Sequence, residues 1–295
     1  MQKVLITGAT GNVGISVIDQ LYQRKTSLQI VAAARNLEKA KKTLAGYEGL
    51  EYFQLDFEQP ETYQSKLGQF DQIFLMRPPH IAKVKKYFEP FVAQMKAGAL
   101  KKVIFLSVQG VEKSKAIPHH QIENLLRTSG FDYVFLRPSY FMQNLTTTFK
   151  DEIRNERKIV IPAGNAKFNW IDTENIGEVA AIMLNDFDQF ANLSYELTGD
   201  ENLTFQEVTN MISELVGEKI EYRSPNPLNF FQIKKSEGFN HAKILVLIAL
   251  HYLARYHKAP RITKIYEKLT GKKPTAIFEF LQKHKAVFLQ NTMVT

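Results

Sequence analysis

Three glycines near the N-terminus, Gly8-x-x-Gly11-x-x-Gly14, stand between an apolar run and a helical pattern. That spacing suits phosphate binding. The first glycine lets the chain turn sharply off a strand. The second has no Cβ, so the backbone can approach a pyrophosphate, and the third lets the next helix pack against the sheet. Backbone N–H groups at the helix start then face the phosphate oxygens. The candidate contacts are Gly8, Thr10, Gly11, Asn12, Val13 and Gly14. A plain structural turn would use the same glycines, but the strand before and the helix after favour a nicotinamide dinucleotide site.

The end of the second strand selects the cofactor. Sites for NAD place an acid about 20 residues beyond the loop, where it holds the ribose hydroxyls. Here the chain reads Val31-Ala32-Ala33-Ala34-Arg35-Asn36, with Arg35 in the acidic position. A guanidinium suits a 2′-phosphate, and Lys39 adds charge from the following helix, so the expected cofactor is NADP(H). The bland alternative is a surface arginine that happens to follow a strand. Asp56-Phe57, after the third strand, fits an adenine-side contact, although aspartate is also a common turn residue.

These residues need a scaffold that brings strand ends together. Apolar runs at 4–7, 29–34, 51–55, 72–76, 102–107 and 133–137 alternate with helical patterns at 12–24, 37–44, 61–67, 80–97 and 118–129. Continuous apolar strands separated by amphipathic helices predict a parallel sheet covered on both faces. With right-handed crossovers this is an α/β doubly wound, Rossmann-like sheet. Beyond Pro138 the pattern loosens. A helix is expected after Tyr140, a strand at 158–161, a helix at 174–184 and a further core strand at 194–198. Thr204, with Glu207 three residues on, reads as the cap of a helix running to Val216. From Pro225 the chain reads as helical to about Phe288. The expected division is a cofactor domain over 1–140, then the remaining core strands with an interleaved, smaller, mostly helical C-terminal substrate or lid lobe over 141–295.

Composition narrows the chemistry further. The 295 residues include no cysteine, which excludes disulfides, thiolate metal sites, iron–sulfur clusters and a cysteine nucleophile. No metal site is expected. Met1 runs directly into a strand-like segment, and the longest apolar run, 244–250, is too short to span a bilayer, so a cytoplasmic protein without a membrane partner is expected. Much of the formal net charge of +8 is local: between Lys234 and Lys285 twelve basic residues face only three acidic ones. Such a lobe can attract acidic partners, but solvated helix faces explain it as well, and no nucleic-acid-binding motif sits there. Ile244, Leu245, Leu247 and Ile248 are expected on one buried stripe.

The assembled motifs resemble the NmrA-like branch of the atypical short-chain dehydrogenases, which also includes quinone and triphenylmethane reductases. The matching pieces are Gly8–Gly14, 34–36, Ser107-Val108-Gln109-Gly110-Val111 and His119-His120-Gln121-Ile122-Glu123. They continue through 136–144, Trp170-Ile171-Asp172, 195–199 and 266–280. The resemblance implies an NADP(H) site with Met76, Arg77 and Pro78 beside the nicotinamide end. It places Gln109, His119, Tyr140, Phe141 and Asn144 around a substrate pocket, with core packing as the competing reading for Tyr140 and Phe141. Short-chain dehydrogenases normally carry Tyr-x-x-x-Lys, yet none of the twelve tyrosines here has a lysine four residues on. His119 falls where related reductases keep a lysine, which makes it the candidate proton donor. Carbonyl reduction and sugar epimerisation are weakened accordingly. Two functions remain. One is an NADPH-dependent reductase of quinone-like or other conjugated acceptors, whose anionic product needs no strong acid. The other is a non-catalytic NADP(H)-binding, redox-sensing regulator that acts through a protein partner.

Overall fold

Seven short segments pair in parallel to form one sheet: β1 (Lys3–Ile6), β2 (Gln29–Ala34), β3 (Glu51–Gln54), β4 (Gln72–Met76), β5 (Lys102–Leu106), β6 (Asp132–Pro138) and β10 (Leu193–Leu197). Their order in the sheet is β10-β6-β5-β4-β1-β2-β3. The computed structural model describes residues 2–98 and 100–290. Helices α1 (Asn12–Gln23), α2 (Leu37–Thr43), α3 (Val84–Ala97), α4 (Pro118–Thr128), α6 (Thr173–Asn185) and the short α7 (Phe187–Phe190) connect or flank the strands. This is the doubly wound, Rossmann-like architecture expected of alternating strand and helix patterns. Val4 pairs with Ile30 on one side and Gln72 on the other, so the strand order reverses across β1 and β4. At that switch point the crevice outside the strand carboxyl ends opens toward a ligand.

By contacts the chain forms two compact units. The first comprises Met1–Pro138, Thr173–Leu197 and Lys264–Lys272, and the second Ser139–Asp172, Thr198–Thr263 and Lys273–Thr295. The core of the first unit includes Leu5, Val31, Ile73, Phe88, Phe105 and Phe135. Glu178 on α6 accepts from Arg24 at 3.2 Å, Lys272 at 3.0 Å and the Tyr266 hydroxyl at 2.5 Å, which ties α11 (Ile265–Thr270) into that unit. At Gly177 a Cβ would lie 2.5 Å from the Ser16 carbonyl carbon, so only glycine permits this approach of α6 to α1.

The second unit holds β7 (Tyr140–Phe141), β8 (Lys158–Val160), β9 (Lys167–Ile171), β11 (Asn202–Thr204) and β12 (Glu221–Arg223) in two small sheets. Its helices are α5 (Lys150–Glu156), α8 (Phe205–Val216), α9 (Pro227–Ser236), α10 (His241–Tyr252), α12 (Ile277–Lys283) and α13 (Lys285–Phe288). Thr204 caps α8 through a reciprocal pair of bonds with Glu207, as its spacing predicts. Trp170, Phe149, Phe205, Phe230 and Phe280 centre the core.

Several expectations are corrected. The 61–67 helix is instead two 3-10 turns, Pro60–Thr62 and Leu67–Gln69. Ser65 between them adopts φ 58°, which breaks any continuous helix, and Gly68 meets Gly98 backbone to backbone. Strands β11 and β12, of three residues each, are too short to show a period in the sequence. On α10, Ile244 is buried and Leu247 and Ile248 are partly buried, but Leu245 is exposed. The helix is apolar around its whole circumference, so hydrophobicity alone does not say which side faces the core.

Candidate functional site

The carboxyl edge of the first unit's sheet gathers most of the sequence-predicted residues. Thr7, buried just past β1, fastens this edge. Its backbone N–H and its hydroxyl both donate to the Phe74 carbonyl, at 3.0 and 3.1 Å, and its oxygen accepts from the Met76 N–H at 2.7 Å. The loops after β1 and β4 therefore start from a shared anchor. Sequence reading passed over Thr7, whose only signal is a polar residue ending an apolar run.

The glycine loop is built as its spacing demands. Gly8 has φ +59°, and a Cβ there would lie 2.4 Å from the Met76 methyl group. The Gly11 N–H donates to the Gly8 carbonyl at 2.9 Å, closing the turn. At Gly14 a Cβ would sit 2.3 Å from the Gly8 oxygen and 2.8 Å from the Ala9 Cα, so alanine cannot enter without moving backbone. Gly11 is the N-cap of α1 and offers no side-chain cap. The first-turn N–H groups therefore lack an intrahelical acceptor and face the edge. Gly8, Gly11 and Asn12 are exposed, Thr10 is half-buried, and Val13 turns its side chain into the core, leaving only its N–H for a ligand. This surface, without a Cβ at Gly8 and Gly11 and rich in N–H donors, fits a dinucleotide pyrophosphate.

Arg35 follows β2 at the same edge. It is exposed and has no ion pair or hydrogen bond among the described residues. Asn36 beside it caps α2 by accepting from the Lys39 N–H at 2.8 Å, which brings exposed Lys39 onto the first turn after Arg35. Two uncommitted cations thus share one short turn, an arrangement suited to a phosphate monoester. Asp56 forms an Asx turn, accepting from the Glu58 N–H at 3.0 Å. Phe57 is core rather than rim: its ring lies 4.9 Å from Phe88 and 4.8 Å from Phe91.

Beyond β4 the site becomes drier. Arg77 turns back on its own loop, donating through one terminal nitrogen to the carbonyls of Pro78, Pro79 and Ile81 at 2.7–3.0 Å. This guanidinium braces the loop instead of reaching outward, and its Nε is buried without a partner among the described residues. Ser107, just past β5, likewise has a buried hydroxyl with no partner among the described residues. Gln109 donates its N–H to the Pro138 carbonyl at 2.9 Å and its amide to Glu196 at 3.4 Å. Arg137 forms an ion pair, a fork on Glu123 at 2.6 and 3.0 Å.

His119 opens α4 with its ring 6.1 Å from Phe105. Burial, aided by the nearby Arg77 guanidinium, lowers its pKa to about 4. The unperturbed value near ~6.5 that would make it an imidazolium donor at neutral pH does not apply. At pH 7 His119 is a neutral imidazole, able to offer one N–H.

Tyr140, Phe141 and Asn144 belong to the second unit. Packing describes Tyr140 better than a free catalytic hydroxyl. Its ring meets Trp170 edge-on at 4.9 Å and lies 5.3 Å from Phe168 and 5.6 Å from His251. The buried His251 Nδ1–H donates to the Leu247 carbonyl at 2.7 Å, which leaves Nε2 as an acceptor. The Tyr140 hydroxyl donates to that nitrogen at 3.0 Å, and burial holds its pKa far above the ordinary value. No sequence motif announces His251, whose partner lies 111 residues away.

A model of the NmrA-like family matches residues 1–281. The chain belongs to the NmrA-like family. This NmrA-like chain is 30% identical over 281 residues to Prestalk A differentiation protein A of Dictyostelium discoideum, covering 95% of this chain and 92% of that protein. It is 26% identical over 288 residues to the NAD(P)H azoreductase of Xenophilus azovorans, covering 97% and 99% of the two chains. In three dimensions it resembles an NADPH-dependent quinone oxidoreductase from Escherichia coli, crystallised with NADPH. The TM-score is 0.83 at 23% identity, with 95% of this chain and 99% of that one covered. That last likeness is one of fold. Among the described residues no helix is long and apolar enough to cross a membrane, and no three potential metal ligands cluster.

Proposed function

We propose that this NmrA-like chain is an NADPH-dependent reductase of quinone-like or other conjugated small-molecule acceptors. The observation that carries this reading is the uncapped glycine turn at the start of α1, together with the unpaired Arg35 at the end of the neighbouring strand. The azoreductase and the quinone oxidoreductase, whose names state a nicotinamide cofactor and a conjugated acceptor, support it. NADPH, when bound, supplies the hydride. The first-turn N–H groups of α1 hold the pyrophosphate, and Arg35 with Lys39 holds the 2′-phosphate. Met76 and Pro78 wall the β4 loop that Arg77 braces. The Ser107 hydroxyl is a further hydrogen-bond partner at the strand edge. His119 presents a neutral N–H to the acceptor oxygen as charge builds there, while water delivers the proton. A conjugated acceptor suits this machinery, because its reduced anion is stabilised and needs no strong acid.

The neutral state of His119 and the missing Tyr-x-x-x-Lys also favour a second reading, a non-catalytic NADP(H)-binding regulator. One experiment separates the two: NADPH oxidation by the pure protein, aerobic and anaerobic, against a panel of quinones, azo and triphenylmethane dyes and enones, beside a cofactor titration. Turnover with any acceptor supports the reductase. Tight NADPH binding without turnover assigns the regulator, and failure to bind NADPH removes both.

A further inference from the structure

Helix α10 has two apolar faces, and only one is used by the fold. Ile244, Leu247 and Ile248 pack into the second unit's core, with His251 buried behind them. The opposite face is formed by Ala242, Leu245, Val246, Ala249, Leu250 and, in the next turn, Leu253, at helical spacings of three and four. No polar residue interrupts it. Leu245, Val246, Leu250 and Leu253 are 57, 64, 51 and 53% exposed, far more than a solvated helix face requires.

The surroundings identify the partner. Residues 238–266 contain no aspartate or glutamate but include five lysines and arginines. Exposed Lys243, Arg255 and Lys258 have no ion pair among the described residues. The 3-10 turn Leu253–Tyr256 that follows α10 leads into a recess of ≈ 490 Å³ lined by Asn165, Ala166, Lys167, Arg255, His257 and Ala259. That lining holds two cations and no acid. Tyr256, 69% exposed, stands in the same turn with its hydroxyl donating to Tyr252 at 2.9 Å. An aliphatic stripe bordered by unpaired cations and an exposed tyrosine matches an anionic lipid surface, acyl chains against the leucines and phosphates against the cations. A second copy of the chain fits poorly, because a twofold contact would set this positive surface against itself. The 12-residue helix is about 18 Å long. It lies in the interface plane and cannot span.

We propose that the outward face of α10 and the basic turn after it dock on an anionic phospholipid bilayer. This takes up the reading in which the basic segment attracts an acidic partner and departs from the expected absence of a membrane partner, and it is independent of the reductase reading. The test is flotation of the full-length protein with vesicles of phosphatidylcholine alone or with about 30 mol% phosphatidylserine, at about 0.1 M and about 0.5 M salt. Binding to the anionic vesicles, weak on neutral ones and falling with salt, is expected. Leu245→Gln with Leu250→Gln changes exposed side chains only and should weaken partition by at least about tenfold at unchanged thermal stability. Arg255→Glu with Lys258→Glu should weaken it about 25-fold or more, at about fivefold per cation lost. No binding to either vesicle, equal binding to both, or a leucine variant that binds like the wild type overturns the proposal. So does a concentration-dependent dimer that the leucine variant dissociates, since a second copy would then cover the face.

Discussion

Alanine at Gly11 and alanine at Gly14 ask different questions of the same loop, and the structure says how each should be answered. Gly11 sits at φ −92°, ψ 167°, a conformation any residue adopts, and its added Cβ would meet nothing nearer than the Gly8 oxygen at 3.3 Å. Folding should tolerate it, with stability unchanged to within about 0.5 kcal/mol. Yet that methyl group would project from the exposed N-cap where the backbone must approach a pyrophosphate, and NADPH affinity should drop about tenfold or more, roughly 1.4 kcal/mol. Gly14→Ala instead drives a Cβ to 2.3 Å from backbone, an overpacking that the strand–helix connection must absorb. It should cost about 1–3 kcal/mol and lower the unfolding midpoint by roughly 2–5 °C, with weaker NADPH binding as a consequence of the displaced turn. Isothermal titration with NADPH beside thermal unfolding measures both quantities. A Gly11→Ala protein of normal stability and undiminished NADPH affinity would refute the phosphate-loop assignment, since that methyl group is harmless only where no pyrophosphate approaches the backbone.

Arg35→Asp removes a cation and adds repulsion, so a preference for NADPH over NADH should fall by at least about tenfold while NADH binding changes little. Equal affinity of the wild type for both cofactors would sink the assignment. His119→Ala, by removing a hydrogen bond to the developing anion, should lower turnover about 10- to 100-fold without altering NADPH affinity. Because His119 is neutral at neutral pH, wild-type turnover should show no inflection near pH ~6.5; one that disappears in the alanine variant would restore the imidazolium donor. His251, fully buried, also has its pKa pushed down to about 4. The unfolded chain takes up this proton below about pH 6.5 and the native state only below about 4. Stability is therefore complete above that window and is lost as pH falls through it, by on the order of 3 kcal/mol. His251→Gln should flatten that slope in denaturant titrations at pH 7.5 and 4.5. Lys234, buried, donates to Glu152 and Glu237, and burial pushes the Glu152 carboxyl up. Lys234→Met should destabilise by about 3–5 kcal/mol, and Glu152→Gln added to it should recover much of the loss in urea midpoints.

The sequence alone determined the features that follow from local rules. Glycine spacing located the turn that needs positive φ at Gly8 and no Cβ at Gly14, because backbone sterics depend on the residues in place. Continuous apolar runs separated by helical periods determined the parallel sheet, and an arginine in the acidic position pointed to the cofactor. Tertiary structure decided what burial and distant partners control. Arg77 reads as a cofactor contact until its loop folds back to claim the guanidinium, and Phe57 as a rim residue until α3 packs two phenylalanines against it, one stacked and one edge-on. His119 reads as an ordinary titrating histidine until partial burial at the sheet edge and the nearby Arg77 lower its pKa. The Tyr140 proton is committed to a histidine 111 residues away. On α10 both faces are equally apolar, and only the packed chain chose Ile244 for the core and left Leu245 outside. Desolvation and pairing are properties of three-dimensional neighbours, and neighbours far apart in the chain leave no mark on either residue's local sequence.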